Sequence, residues 1–357
     1  MIFETKFRGS TRQLQDDSKL FTGHPSIVTA RVSTARTVSK IARNGQATKV
    51  ETAVRPNQKE GAGYANGFIQ ESGGNKVIGI VVPQITNNFF AGVIAGVEEM
   101  AGKEKYTTII CQSGEHIDKE KAAVKMLIDQ NVSCIIISLS AETAATRKTS
   151  HLKKAISHNI KVIQFDRVDE SLETDCVVNE VDNVTASIVG HLVKEGYKKI
   201  ACLAGPQEID IFRQRKEAFE KYMTKRGVSL TNRPIAFYDL TRESAKDAAT
   251  RLLSLRDRPD AIVAATDLGA LGVWDVANDL GLEMPADLGL CGFSNEYYTE
   301  LVSPNITSAD QLSFEMGREA ATIFFDSISD GGNKQQKPRT ITLHPKLIVR
   351  ASSRRLL

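Results

Sequence analysis

Opposite charges meet at Asp166-Arg167, directly after the apolar run Val162 to Phe165, and a further guanidinium, Arg215, opens a helix-length stretch ahead of Phe219. Thr86-Asn87-Asn88 and Ser294-Asn295 are polar turns after two other apolar runs, and Asp267 follows a third at Ala265-Thr266. This is the chemistry of recognition by hydrogen bonds. A planar guanidinium fork offers paired donors to a hydroxyl pair, a carboxylate or a phosphate. Each feature also has a plainer use: Asp166 and Arg167 as a structural ion pair, Asp267 as a helix N-cap, and Arg213 in the role of Arg215 if the register is two residues off. Catalytic apparatus is missing. The chain has no GxxxxGK[ST], GxGxxG, HExxH or GxSxG pattern, and its six histidines lack ligand spacing, so neither an enzyme nor a metal or cofactor is expected.

The elements that must hold these residues alternate. Short β-branched runs at 77–82, 107–111, 133–138, 162–165, 200–203, 235–238, 261–264 and 288–291 predict strands, and amphipathic stretches at 90–102, 119–130, 183–195, 213–226 and 244–255 predict helices between them. Near-continuous apolar strands in strict alternation with helices argue for an α/β fold of parallel sheets covered on both faces. Two sets of four strands, split near 177–182, predict two similar lobes. Gly102, Gly196 and Gly227 stand where a left-handed residue should end a helix, while Pro259 and Pro285 precede strands. In open parallel sheets the ligand crevice lies at the carboxyl ends of strands, where the polar turns fall.

Composition agrees with a soluble globular chain: 357 residues, 41% hydrophobic and 25% charged. No apolar run approaches the ~20 residues of a membrane span, and the start Met1-Ile2-Phe3-Glu4-Thr5-Lys6 lacks a signal-peptide pattern, so a cytoplasmic location is expected. The five cysteines form no CxxC pair and lie in or beside apolar runs, as buried reduced thiols do. Residues 1–75 hold 11 basic and 6 acidic residues, a net of +5, and the totals of 46 and 43 leave 35 against 37 for the rest. That excess suits a nucleic-acid arm or a solvated tail.

Val77-Ile78-Gly79-Ile80-Val81-Val82-Pro83 followed by Asn87-Asn88-Phe89-Phe90 resembles the start of the effector domain of LacI-family bacterial transcription regulators. Phe165-Asp166-Arg167, Arg215 with Ala218-Phe219, Pro259-Asp260-Ala261-Ile262 with Ala265-Thr266-Asp267, and Gly292-Phe293-Ser294-Asn295 continue it in order. Gln311, Met316-Gly317 and Leu347 to Ser352 complete it. Ser294 and Asn295 stand where the family has two aspartates, which removes two charges from the cleft. The resemblance implies a periplasmic-binding-protein-like fold of two Rossmann-like lobes, 76–178 with 306–340 and 179–305 with 341–352. It implies that Asn88, Phe89, Asp166, Arg167, Arg215, Asp267 and Asn295 line a cleft for a small polar effector such as a sugar, Phe89 as a stacking wall or else as core. A homodimer that binds DNA is implied as well.

The family's helix-turn-helix and hinge should fill residues 1–75, which instead read as an irregular segment. Val32-Ser33, Thr37-Val38-Ser39, Asn44 and Arg55-Pro56-Asn57 echo the pattern at altered spacing, and no leucine occurs between Phe21 and Asn75. Arg31, Arg36, Lys40 and Arg43 are the candidate DNA contacts, without a consistent apolar stripe to seat them. Either the reading head is degenerate, or the segment is out of frame with respect to an ancestral one. The expected function is a LacI-type regulator that senses a sugar-like metabolite by lobe closure. The rivals are a stand-alone sugar-binding protein of a transport system and a regulator fragment without DNA binding.

Overall fold

In the computed structural model, residues 75–227, 235–329 and 337–355 are described. The first lobe begins with β1 (Val77–Val82), α1 (Asn88–Lys103), β2 (Thr107–Gln112), α2 (Ile117–Asp129), β3 (Cys134–Ile137), α3 (Ala141–Thr146), α4 (Ser150–Ser157), β4 (Lys161–Phe165) and β5 (Asp175–Asn179). The chain then crosses to α5 (Val181–Lys194), β6 (Ile200–Ala204), α6 (Asp210–Lys225), β7 (Ile235–Phe237), α7 (Arg242–Leu253), β8 (Ala261–Ala264), α8 (Asp267–Asp279), β9 (Gly289–Phe293), α9 (Tyr298–Leu301) and β10 (Thr307–Asp310). Next, α10 (Ser313–Ser329) and β11 (Thr340–Leu343) return to the first lobe, and β12 (Lys346–Ile348) joins the second.

Two six-stranded sheets result, in the orders β11-β5-β4-β3-β1-β2 and β12-β10-β9-β8-β6-β7. All pairings are parallel except β10 with β12. Alternation within strands explains why both faces are covered. In β1 and β3, Ile78, Ile80, Cys134 and Ile136 pack on one side with α1 and α10, while Val81, Ile135 and Ile137 pack on the other with α2 and α4. The second sheet divides in the same way.

The expectation of four strands per lobe is corrected to six. The expected split at 177–182 overlaps β5 (Asp175–Asn179), which is itself a strand, and β10, β11 and β12 are short and carry polar residues, so no apolar run marks them. The crossing points move accordingly. Residues 307–310 belong to the second sheet and 340–343 to the first, against the expected switches at 306 and 341. Gly196 and Gly227 take the left-handed conformation, with φ of 85° and 68°, but Gly102 stays inside α1 and Lys105 (φ 61°) makes the turn. Four cysteines are buried and Cys111 partly so, all as free thiols. No described helix is long and apolar enough to cross a membrane.

Candidate ligand site

The carboxyl ends of both sets of strands carry the polar side chains singled out in the sequence. At the end of β4, Asp166 adopts a left-handed φ of 59°, with its side chain 8% exposed. Burial pushes its carboxyl pKa up, against the Arg167 charge and that of Arg215, which belongs to the other lobe. Arg167 forms ion pairs with both Glu115 and its neighbour Asp166, but only the first is hydrogen-bonded. Its Nη1 and Nη2 donate to the two Glu115 oxygens at 2.6 and 3.1 Å, whereas Asp166 lies 3.9 Å from its Nε. Glu115 also accepts the Ala141 N–H at 2.8 Å, so it ties the β2–α2 turn to the start of α3.

In the second lobe, α6 starts at Asp210, which places Arg215 in its second turn rather than at its start. Arg215 is buried, while Arg213 is 42% exposed and pairs with Asp210 at 2.5 Å. The Arg215 guanidinium stacks on Phe293 with 4.5 Å to the ring centre, donates to the Ala265 carbonyl at 2.5 Å, and donates to Gln311 Oε1. Gln311 in turn donates to Ser294 Oγ at 2.8 Å. Burial lowers the Arg215 pKa to about 10, which leaves it charged at neutral pH.

Asp267 is not the helix cap. The extended backbone of Thr266 is, and its hydroxyl accepts the Gly269 N–H at 3.0 Å. Asp267 is the first helical residue, fully buried, accepting the Ser308 hydroxyl at 2.7 Å and the Glu296 N–H at 2.8 Å; burial pushes its pKa up to about 7. It clamps the turn after β9 to β10. Asn295 completes that clamp, since its Nδ2 donates to Asp310 at 3.1 Å and its Oδ1 accepts from Arg350 at 2.7 Å.

Asn88 begins α1, whose cap is Asn87, and Phe89 packs in the first-lobe core at 5.2 Å from the Phe90 ring. A residue the sequence reading passed over reaches them. Glu296 is buried in the turn after β9, and burial raises its pKa against the opposing pull of the Asn88 side chain and the Phe89 N–H of the opposite lobe. The two missing aspartates therefore do not leave this turn without a carboxylate. Only the position next to Ser294-Asn295 could have signalled it. Glu115 was also missed, because nothing in the sequence says that the end of β2 lies beside the end of β4. Arg31, Arg36, Lys40 and Arg43 lie outside the described residues.

Several buried polar atoms at these strand ends have no partner among the described residues. They are Ser138 Oγ after β3, Arg167 Nε after β4, both amide atoms of Asn179 at the end of β5, Gln207 Oε1 after β6, and Arg215 Nε. Unpaired buried groups are costly and rare in a folded chain, and most of these follow the carboxyl ends of strands.

Residues 189–353 match the family of periplasmic binding protein-like domains. Over 281 residues the chain is 30% identical to the HTH-type transcriptional repressor PurR of Vibrio vulnificus, covering 79% of this chain and 82% of that repressor. This chain belongs to the LacI family of transcriptional regulators. To the HTH-type transcriptional repressor CytR of Escherichia coli it is 29% identical over 338 residues, 92% of this chain and 94% of the relative. That span enters the segment ahead of β1. A LacI-family regulator of Enterococcus faecium, solved with bound ribose, shares the fold with a TM-score of 0.68 at 21% identity, over 79% of this chain and all of that one. As a LacI-family member the chain is a transcription regulator with a ligand-binding domain, and the relatives it matches are repressors, not enzymes.

Proposed function

We propose that this regulator senses a neutral, polyhydroxylated metabolite, a sugar or sugar derivative, held between the lobes at Asp166, Arg167, Arg215 and their neighbours, and that the lobes close on it. The unpaired atoms at the strand ends carry this reading. They mix donors (the two Arg Nε, Ser138, Asn179 Nδ2) with acceptors (Asn179 Oδ1, Gln207 Oε1), and a hydroxyl is both at once. The Arg167 charge is paired with Glu115, and Asp267 already accepts hydrogen bonds within its own lobe, so neither is left to require an oppositely charged ligand. The ribose in the Enterococcus faecium structure is of this class. A thermal-shift panel of pentoses, hexoses and nucleosides tests it. A true ligand at a hundred times its Kd stabilises by about 2.7 kcal/mol. A panel in which only charged metabolites shift the melting temperature would overturn the assignment.

We propose that this regulator works beside DNA in the cytoplasm, as a homodimer. A second reading, a sensor that no longer selects a DNA sequence, is favoured by the missing apolar stripe around Arg31, Arg36, Lys40 and Arg43. The alignment with CytR extends ahead of β1, which favours a degenerate head over a segment in a foreign frame. We expect weak, unspecific binding to DNA, with Kd near ~10⁻⁴ to 10⁻⁶ M at physiological salt. A mobility-shift titration on the promoter of its own operon, at two salt concentrations, is the measurement. Nanomolar, sequence-selective binding would show that the head is intact.

A further inference from the structure

We propose that Arg147 and Asp210 form a reversible latch across the mouth of the crevice, which holds the lobes together and makes their closure depend on ionic strength. This rests on the reading that the lobes open and close. Arg147 follows α3 in the first lobe with a left-handed φ of 55°, and Asp210 begins α6 in the second. The Arg147 guanidinium donates through Nη2 to the Asp210 carboxylate, joining elements of the two sheets.

Each ion keeps a partner in its own lobe. Arg147 Nη1 lies 3.5 Å from Asp169 Oδ1 and 3.4 Å from the Val168 carbonyl, and Asp210 pairs with Arg213 at 2.5 Å. Asp169 is fixed in place independently. Against the cost of its burial, bonds from Ser171 and Thr149 and the Arg147 charge hold its carboxyl below the usual range. Opening therefore strands neither charge, unlike a buried pair, whose rupture leaves an uncompensated ion. Asp210, at a helix N-terminus, has the helix dipole as well. Arg147 is 44% exposed and Asp210 30%, so the link is solvated, modest in strength and open to screening. A pair with these properties shifts an equilibrium between two lobe arrangements without locking either.

The test measures lobe separation in the full chain without any ligand. Spin labels are placed on Lys154→Cys in α4 and Gln214→Cys in α6, both exposed, in a Cys111→Ser background, and distances are read by double electron-electron resonance. In ~10 mM salt, where the Debye length is ~30 Å, Arg147→Gln and Asp210→Asn are each expected to lower the closed-to-open ratio about two- to fivefold. The double variant should go no further than either single one. At ~1 M salt the difference from the parent should shrink. Arg213→Gln removes the same-lobe partner of Asp210 and should leave the ratio equal or higher, which separates the latch from damage to α6. Two populations with ratios identical in all variants would overturn the latch while leaving lobe motion intact. A single population unchanged by every variant and salt would overturn both.

Discussion

Arg215→Ala is expected to weaken binding of the crevice ligand by about 2 to 4 kcal/mol, roughly thirty- to a thousandfold, because a ligand polar group matched to the guanidinium is left buried and unpaired. Isothermal titration with the first sugar that shifts the melting temperature measures it. Equal affinity in variant and parent would remove Arg215 from the site. From the sequence alone, the ligand-free protein should hardly notice the change. The structure says otherwise. Arg215 supplies hydrogen bonds to the Ala265 carbonyl and Gln311, stacks on Phe293, and offsets the buried Asp166 carboxyl. Losing it leaves buried acceptors without a donor, so the ligand-free melting temperature should fall too, by the equivalent of about 1 to 3 kcal/mol. Arg213→Ala, at the half-exposed Asp210 pair, should change neither quantity much.

Gly317→Val is expected to lower stability by about 3 kcal/mol or more, several degrees in melting temperature. The cause is the crossing of α1 and α10. A Cβ built on Gly317 would lie 2.0 Å from the Val93 carbonyl oxygen, and one on Gly96 would lie 2.1 Å from that of Phe314. Backbone cannot swing aside as a side chain can, so the two helices must separate, and the shared core of Val93, Val97, Met316 and Ala320 opens with them. Since α10 directly follows the crossing from β10, the damage should extend to the geometry of lobe closure. Gly102→Ala is the contrasting case. That glycine is helical with nothing within 4 Å of a built Cβ, so alanine should stabilise by up to about 1 kcal/mol. Thermal or urea unfolding of both variants measures the difference. Similar effects at the two positions would refute the close-crossing account.

Much of the framework was legible because its causes are local. Short apolar runs such as Val77–Val82 and Ala261–Ala264, β-branched and bounded by turns, fit strands buried on both faces, and the helical periodicity between them closes the alternation. The same grammar put Asp166, Arg167, Asp267 and Asn295 at strand ends, because a parallel sheet delivers every carboxyl end to one rim. Where the burial signal is weak, reading failed. The short strands β10 and β12 were missed because pairing, and not an apolar run, makes them strands.

By itself, then, the sequence determined the α/β alternation, the two lobes, the rim on which polar groups gather and the family to which the chain belongs. Tertiary structure alone decided who meets whom. Arg167 hydrogen-bonds Glu115, 52 residues away, and holds its neighbour only by a looser ion pair; Asp267 clamps Ser308 instead of capping its helix; and the start of α1 in the opposite lobe acts on the Glu296 carboxyl. The physical reason is that hydrogen bonds and ion pairs act over about 3 Å in space, whatever the separation along the chain, and a buried donor takes the partner that packing brings to it.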